Sequence, residues 1–393
     1  MTSNRNGKVL LFANTDWYLY NFRLPLANAL RNRGCEVVLV SPPGEYSLKL
    51  QQAGFRWLAL PMDRGSLNPI SQIRSIAALV RLYRSERPDI IHHFTVKCVL
   101  YGTLAARLTG ISACVNAVAG LGFIFSSSSI KAQLLRPLIT VLLRLLLRSP
   151  SSRLIVQNNE DYERFIRSAL VSRKYIRLIR GSGVNTQVFQ PSKNNEARNH
   201  CRVLLATRLL WDKGVAEYVD AARILLRDNI DVEFLIAGSS DAGNPGAIPQ
   251  GQIQQWHDEG VVNVLGHIEH MEELLADVDV VVLPTIYGEG VPRILLEAAA
   301  AGLPIVASDT AGCQEIVEHY KNGILVKPQN INELVKAIGF LLESKEARQI
   351  MGITGRDKVL KEFDEKKVIT ETISVYREIM PFCNTTSSGP VFD

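Results

Sequence analysis

Short, continuously apolar runs alternate with longer stretches of helical spacing from the beginning of the chain. KVLLFA, EVVLV, FRWLAL, DIIHHF, ACVNAV, RLIVQ and YIRLI read as strands, with helices expected between them near residues 22–32, 46–52, 69–84, 99–108 and 161–169. Most of these runs are apolar throughout rather than alternating, the pattern of parallel strands covered on both faces. Repeated βα units of this length specify a doubly wound parallel sheet. The polar segment FQPSKNNEARNH then breaks the pattern, and a second series follows in RVLLATR, VEFLIAG, VNVLG, DVVVLP, PIVAS and GILV, closing in helices from Ile331 onward. At 393 residues the chain has room for two domains with separate cores. The expected division is an α/β domain over 1–188, a linker over 189–200, a second Rossmann-like domain over 201–354, a terminal helix over 355–380 and a disordered Ser/Thr/Gly/Pro tail over 381–393.

The segment YGEGVPRILLEAAAAGLPIVASD concentrates the candidate chemistry. The run Val278 to Thr285 is expected to feed it as a buried strand, and Gly288 and Gly290 bracket Glu289. These glycines let backbone amides approach a ligand, and Pro292 stands at the expected first helical position, where its missing N–H costs nothing. A helix that opens just past a strand end presents unpaired N–H groups, here around Gly290 and Val291, together with a positive dipole end. An anion such as a diphosphate is favoured there, and Glu297 lies one to two turns further in. Upstream, Arg208 and Lys213 leave the strand at Val203 to Thr207 and enter a helix through Gly214. Two cations at one strand end and a glycine-bordered helix start at another form a diphosphate clamp in an open α/β sheet. The loop GSSDAGNPGAIPQG, Gly238 to Gly251, begins at a further strand end and borders this donor side.

Other classes lose support from the same sequence. Neither domain carries G-x-G-x-x-G after its first strand, so no nicotinamide or flavin cofactor is expected. Asp277 and Asp279 have the spacing of a metal-binding pair, but they stand where a helix end enters a buried strand, which favours a capping and turn role, and no metal is expected. The six cysteines are far apart and have no C-x-x-C pair, as in a protein with packed, reduced thiols. The net charge of +5 is unevenly placed, since residues 131–180 hold eleven Lys or Arg against three acids. Within them IKAQLLRPLITVLLRLLLR sets Lys131, Arg136, Arg144 and Arg148 among Leu and Ile. Such a segment suits an anionic membrane interface, although a core helix with a charged outer edge has the same composition. No run of about 18 uncharged apolar residues exists to span a bilayer. The polar lead into the first strand does not read as a signal peptide, so a cytoplasmic protein, peripheral on the inner face of the membrane, is expected. Exposed aromatics interleaved with the basic charge are lacking, and no nucleic-acid partner is expected.

Arg208 with Lys213, the glutamates 289 and 297, and AGLPIVASDTAGCQEIV together resemble the retaining family 4 glycosyltransferases of the GT-B fold. In the N-terminal half YNFRLPLANAL, SLNP, LYGTLAARLTG, GLG and GSGVNTQVFQP are similar to bacterial transferases, N-acetylgalactosaminyltransferases among them, that extend undecaprenyl-diphosphate-linked sugars. The resemblance implies two Rossmann-like doubly wound domains facing a central cleft, with the terminal helix returning to the first. It further implies that Arg208 and Lys213 hold the nucleotide diphosphate, Glu289 contacts the donor sugar and Glu297 the ribose. The implied partners are a nucleotide sugar, UDP-linked first of all, and a polyprenyl-diphosphate-linked sugar. Retention by same-face attack, the departing phosphate taking the acceptor's proton, is implied in the same way.

The chain departs from that family pattern in two places. NTDWYLYNFR replaces the glycine pair usual after the first strand, and AVAGLGFIF lacks the usual histidine. Acceptor contacts are therefore assigned to Asn21, Arg23 and Lys97, with Gly120 and Gly122 allowing close backbone approach, while His92 and His93 fall in or just after a strand as core or catalytic residues. A GT-B epimerase or phosphorylase and a non-catalytic nucleotide-sugar binder remain the competing classes.

Overall fold

A computed structural model describes residues 7–63, 68–118, 130–192, 200–228, 230–241, 244–287 and 290–380. The chain divides into two compact units, Met1–Ser182 with Val368–Asp393, and Gly183–Lys367.

The first unit is built on strands β1 (Lys8–Phe12), β2 (Glu36–Ser41), β3 (Arg56–Ala59), β4 (Ile90–Phe94), β5 (Cys114–Val118), β6 (Ser152–Val156) and β7 (Ile176–Leu178). They form one sheet in the order β3-β2-β1-β4-β5-β6-β7, and every pairing is parallel. All five residues of β4 and all five of β5 are buried, which is why these runs show no alternation. Helices cover both faces. The helix Leu24–Asn32 packs Leu26, Ala27 and Leu30 into one core, and Leu79 and Tyr83 of Pro69–Glu86 enter the core on the other face.

The basic apolar segment is a helix, Ile130–Leu147, with Pro137 inside it. The helix is part core and part surface. Leu143 and Leu147 are buried with Val118, Leu154 and Phe165, whereas Val141, Leu142 and Leu145 are exposed. Arg144 and Arg148 donate to the carbonyls of Ser168 and Ala169, 2.7 and 2.9 Å away. No helix among the described residues is long and apolar enough to cross a membrane.

The second unit holds β8 (Cys201–Ala206), β9 (Val232–Ala237), β10 (Asn263–Gly266), β11 (Val280–Leu283), β12 (Ile305–Ser308) and β13 (Gly323–Val326), in the order β10-β9-β8-β11-β12-β13 and again all parallel. Its core already includes Val184 and Phe189, so the observed division lies ahead of the polar segment 189–200, of which 193–199 fall outside the described residues. The single helix expected over 355–380 is two helices, Lys345–Glu362 and Glu365–Arg377. The break is tertiary in origin. Val184 donates to the Phe363 carbonyl and accepts from Glu365, both at 3.0 Å, and the Asp364 carboxylate takes the Thr186 hydroxyl at 2.6 Å. Beyond it, Val368, Ile373, Val375 and Tyr376 are buried in the first unit's core. The tail 381–393 lies outside the described residues.

Candidate active site

In the second unit the carboxyl ends of β8, β9 and β11 bring three loops together. After β8 the chain turns through Trp211–Lys213 to Gly214, which has φ +73°, and then enters the helix Val215–Arg227. A β-carbon on Gly214 would stand 2.0 Å from the Pro284 carbonyl oxygen, so the loop after β8 lies directly on the end of β11. The Asp212 carbonyl reinforces the contact by accepting from Ile286 N at 2.9 Å and from the buried Thr285 hydroxyl at 3.3 Å. On its other side the loop is laced to the glycine-rich segment after β9. Leu209 donates to the Ser239 carbonyl at 3.1 Å, Trp211 to Gly246 at 3.0 Å, and Ile248 returns a bond to Leu209 at 3.0 Å.

This scaffold fixes Arg208 and Lys213 on one loop. The Arg208 side chain is half exposed, and its Nη1 donates to Asp241 Oδ2 at 3.0 Å. An ion pair this open contributes little to stability, about 0–1 kcal/mol, and yields readily to a better anion.

The helix Arg293–Ala300 opens just past the end of β11, with Pro292 at the N-cap, one place ahead of the expected first helical position. Gly290 and Val291 precede it at the end that favours anions. Glu297 is buried at 8% exposure, and Arg293 Nε donates to its Oε1 at 2.6 Å. Burial raises the Glu297 pKa, with the Arg293 charge and hydrogen bond opposing it. One carboxylate oxygen is thus fixed by arginine. Glu289 and Gly288 lie outside the described residues.

Asp277 and Asp279 stand at the opposite, amino-terminal end of the sheet. Both are engaged by Arg202, through an ion pair to Asp277 and through Arg202 N to Asp279 Oδ2 at 2.9 Å. They tie together the starts of β8 and β11, and Asp277 stands in the turn that follows the helix Met271–Leu275, the turn role read from sequence.

In the first unit Asn21 and Arg23 share one irregular turn, the π-helix Leu19–Arg23, which follows β1. The Asn21 amide donates to the Trp17 carbonyl at 3.0 Å, and Arg23 is buried. Lys97 opens the helix Val96–Thr109 after β4, and its ammonium donates to the Asp63 carbonyl. Partial burial lowers its pKa. Gly120 and Gly122 lie outside the described residues. His93 is a satisfied core residue, with Nδ1 2.7 Å from Asn116 Oδ1 and Nε2 3.1 Å from the Tyr83 hydroxyl. Burial lowers its pKa to about 4 and holds that of His92 well below the usual imidazole value.

Sequence reasoning missed the partners of two candidate residues, Asp241 for Arg208 and Arg293 for Glu297. Arg293 carried a legible signal, its i,i+4 spacing from Glu297. Asp241 carried none, because its pairing depends on two loops meeting.

The comparisons agree with this architecture. A model of glycosyl transferases group 1 matches residues 187–358, and one described as glycosyl transferase 4-like matches residues 8–159. The N,N'-diacetylbacillosaminyl-diphospho-undecaprenol alpha-1,3-N-acetylgalactosaminyltransferase of Campylobacter jejuni is 29% identical over 92% of this chain and 96% of its own. The UDP-Gal:alpha-D-GlcNAc-diphosphoundecaprenol alpha-1,3-galactosyltransferase of Escherichia coli is 26% identical over 80% of this chain and 82% of its own. Among solved structures, sucrose-phosphate synthase of Thermosynechococcus elongatus superposes with a TM-score of 0.77 at 21% identity, covering 95% of this chain and 99% of that one. Anabaena HepE in complex with UDP and glucose gives a TM-score of 0.74 at 20% identity, covering 94% and 100%. With one model on each half of the chain and two parallel Rossmann-like sheets beneath them, the protein belongs to the group 1, family 4-like glycosyltransferases of the GT-B fold.

Proposed function

We propose that this glycosyltransferase moves a sugar, an N-acetylhexosamine or hexose, from a UDP-sugar to an undecaprenyl-diphosphate-linked sugar, with retention of configuration and without a metal ion. The observation that carries the reading is the near full-length similarity to two relatives whose names both specify a diphospho-undecaprenol-linked acceptor. The site fits the donor half. Arg208 and Lys213 on the loop after β8, and Gly290 and Val291 ahead of the helix Arg293–Ala300, belong to one unit, which supports a joint role in holding a diphosphate. They take up the negative charge that develops on the leaving nucleoside diphosphate, the task a metal ion performs elsewhere. Glu297 receives the ribose, and Glu289 the donor sugar. Asn21, Arg23 and Lys97 follow strand ends of the first unit and take the acceptor, with Gly120 and Gly122 giving it close backbone approach.

An acceptor anchored in lipid calls for an enzyme at the membrane surface. Val141, Leu142 and Leu145 are exposed together with Leu108 of the neighbouring helix, and Arg107, Arg144 and Arg148 lie beside them. Apolar side chains rimmed by cations suit the interface of an anionic bilayer, each cation contributing about 1 kcal/mol. The test is incubation with a panel of labelled UDP- and GDP-sugars and a polyprenyl-diphosphate-linked N-acetylhexosamine. Label entering an acid-labile lipid fraction from a UDP-sugar supports the reading. Donor hydrolysis with no labelled lipid refutes the acceptor.

A further inference from the structure

The first unit's sheet runs β3-β2-β1-β4, so the winding reverses between β1 and β4. Ligands of open parallel sheets bind beyond the strands' carboxyl ends at such a reversal. Arg23 follows β1 there, carried on the π-helix Leu19–Arg23, an irregularity that recurs at functional sites. Its guanidinium carbon lies 4.4 Å over the ring of Phe94, the last residue of β4, and 5.3 Å over that of Tyr18.

The charge of Arg23 is poorly compensated. The residue is 6% exposed, Nη2 donates to the Tyr18 hydroxyl at 2.7 Å, and among the described residues the buried Nε has no acceptor. The carboxylate nearest in sequence, Asp16, is already occupied by Trp17 N at 2.8 Å and by Tyr46 N and the Ser47 hydroxyl at 2.9 Å. The two aromatic faces offset part of the cost of burying a cation without a carboxylate partner. His92, 1% exposed, rests on the same Phe94 ring with centroids 4.0 Å apart. Its Nδ1 meets the Tyr376 hydroxyl at 2.6 Å, and its Nε2 has no partner among the described residues.

We infer that Arg23, with the second ring nitrogen of His92 from the same Phe94 cluster, is a phosphoryl-anion receptor that holds the diphosphate of the acceptor. The inference rests on the proposed lipid-linked acceptor and adds how its charged part is recognised. A phosphoryl oxygen supplies what Arg23 Nε lacks, and the neutral imidazole donates to a second oxygen through Nε2–H when the Tyr376 hydroxyl donates to Nδ1.

The experiment compares two acceptors at fixed UDP-sugar, a short-chain polyprenyl-diphosphate N-acetylhexosamine and the octyl glycoside of the same sugar, which has no phosphate. Arg23→Met is expected to raise KM for the diphosphate acceptor about tenfold, as for loss of a charged hydrogen bond. KM for the octyl glycoside and for the UDP-sugar should stay unchanged, and Arg23→Lys should recover part of the loss. An equal loss on both acceptors overturns the inference in favour of a packing role. A rise in KM for the UDP-sugar overturns it by assigning the anion to the donor. Should Arg23→Met fail to fold, Arg23→Lys carries the same comparison, a selective rise supporting the receptor and a uniform loss refuting it. If the wild-type chain glycosylates the octyl glycoside alone, or neither acceptor, the proposed acceptor falls and the receptor falls with it. Diphosphate-selective transfer unaffected by both substitutions sinks the receptor alone.

Discussion

The Cα of Gly214 faces the carbonyl oxygen of Pro284 so closely that a β-carbon would come within 2.0 Å of it. This approach seats the loop bearing Arg208 and Lys213 on the end of β11, from which the loop toward Glu289 departs. Gly214 also has φ +73°, which an L side chain adopts at a cost. Gly214→Ala is therefore expected to lower stability by about 1–3 kcal/mol and to weaken UDP binding, measured by thermal unfolding with and without UDP. An alanine variant as stable and as responsive to UDP as the wild type would mean that the two loops are not coupled.

The Arg208–Asp241 pair predicts opposite effects for its two members. Asp241→Asn removes a competitor for the guanidinium, and KM for the donor should fall roughly two- to fivefold, the worth of an open ion pair. On the role proposed for Arg208, Arg208→Ala withdraws charge from the leaving diphosphate, and kcat/KM should fall on the order of 100-fold. Steady-state kinetics on both variants decides the matter. Equal losses in the two would show the pair acting as one positioning unit.

The buried imidazoles give a pH prediction with a definite sign. A histidine whose native pKa lies below the unfolded value contributes stability above the unfolded value, and that stability is lost as pH falls. With His93 lowered to about 4, its share is complete above the ordinary value of 6.5 and disappears between there and about 4. His92 shifts in the same direction. The exposed His270, whose pKa Glu272 raises, behaves oppositely. Nitrogen-detected NMR at pH 5.5 should find His92 and His93 neutral and His270 protonated. A charged His93 at that pH would contradict its place in the core.

Much of the fold was legible because a parallel strand buried on both faces is written as an unbroken apolar run, as in DIIHHF and DVVVLP. The positions of the loops after β8 and β11 were legible for a related reason, since glycine and proline past a strand end mark the turn into a helix. What escaped was set by tertiary contact. LYNFR carries no local signal for a π-helix, and an arginine near the start of an expected helix gives no sign that it is buried over Phe94. The helix break at Asp364 has neither glycine nor proline, because pairing with Val184 makes it. Asp241 meets Arg208 only once the loops after β8 and β9 are folded.

Leaving-group stabilisation by Arg208, Lys213 and backbone amides predicts indifference to chelators. Transfer measured after treatment with EDTA should equal the untreated rate, and added Mg²⁺ or Mn²⁺ should leave kcat unchanged. A rate lost to EDTA and restored by one divalent ion would place a metal in the mechanism.

The most direct test of the account is single-turnover transfer from a UDP-sugar to the polyprenyl-diphosphate-linked acceptor by the wild type and by Glu289→Ala, with UDP affinity measured on both. The account predicts transfer by the wild type and a fall on the order of 100- to 1,000-fold in the variant, as for loss of one transition-state contact, with folding and UDP affinity preserved. Transfer by Glu289→Ala at the wild-type rate would contradict it and move the chemistry away from the loop after β11.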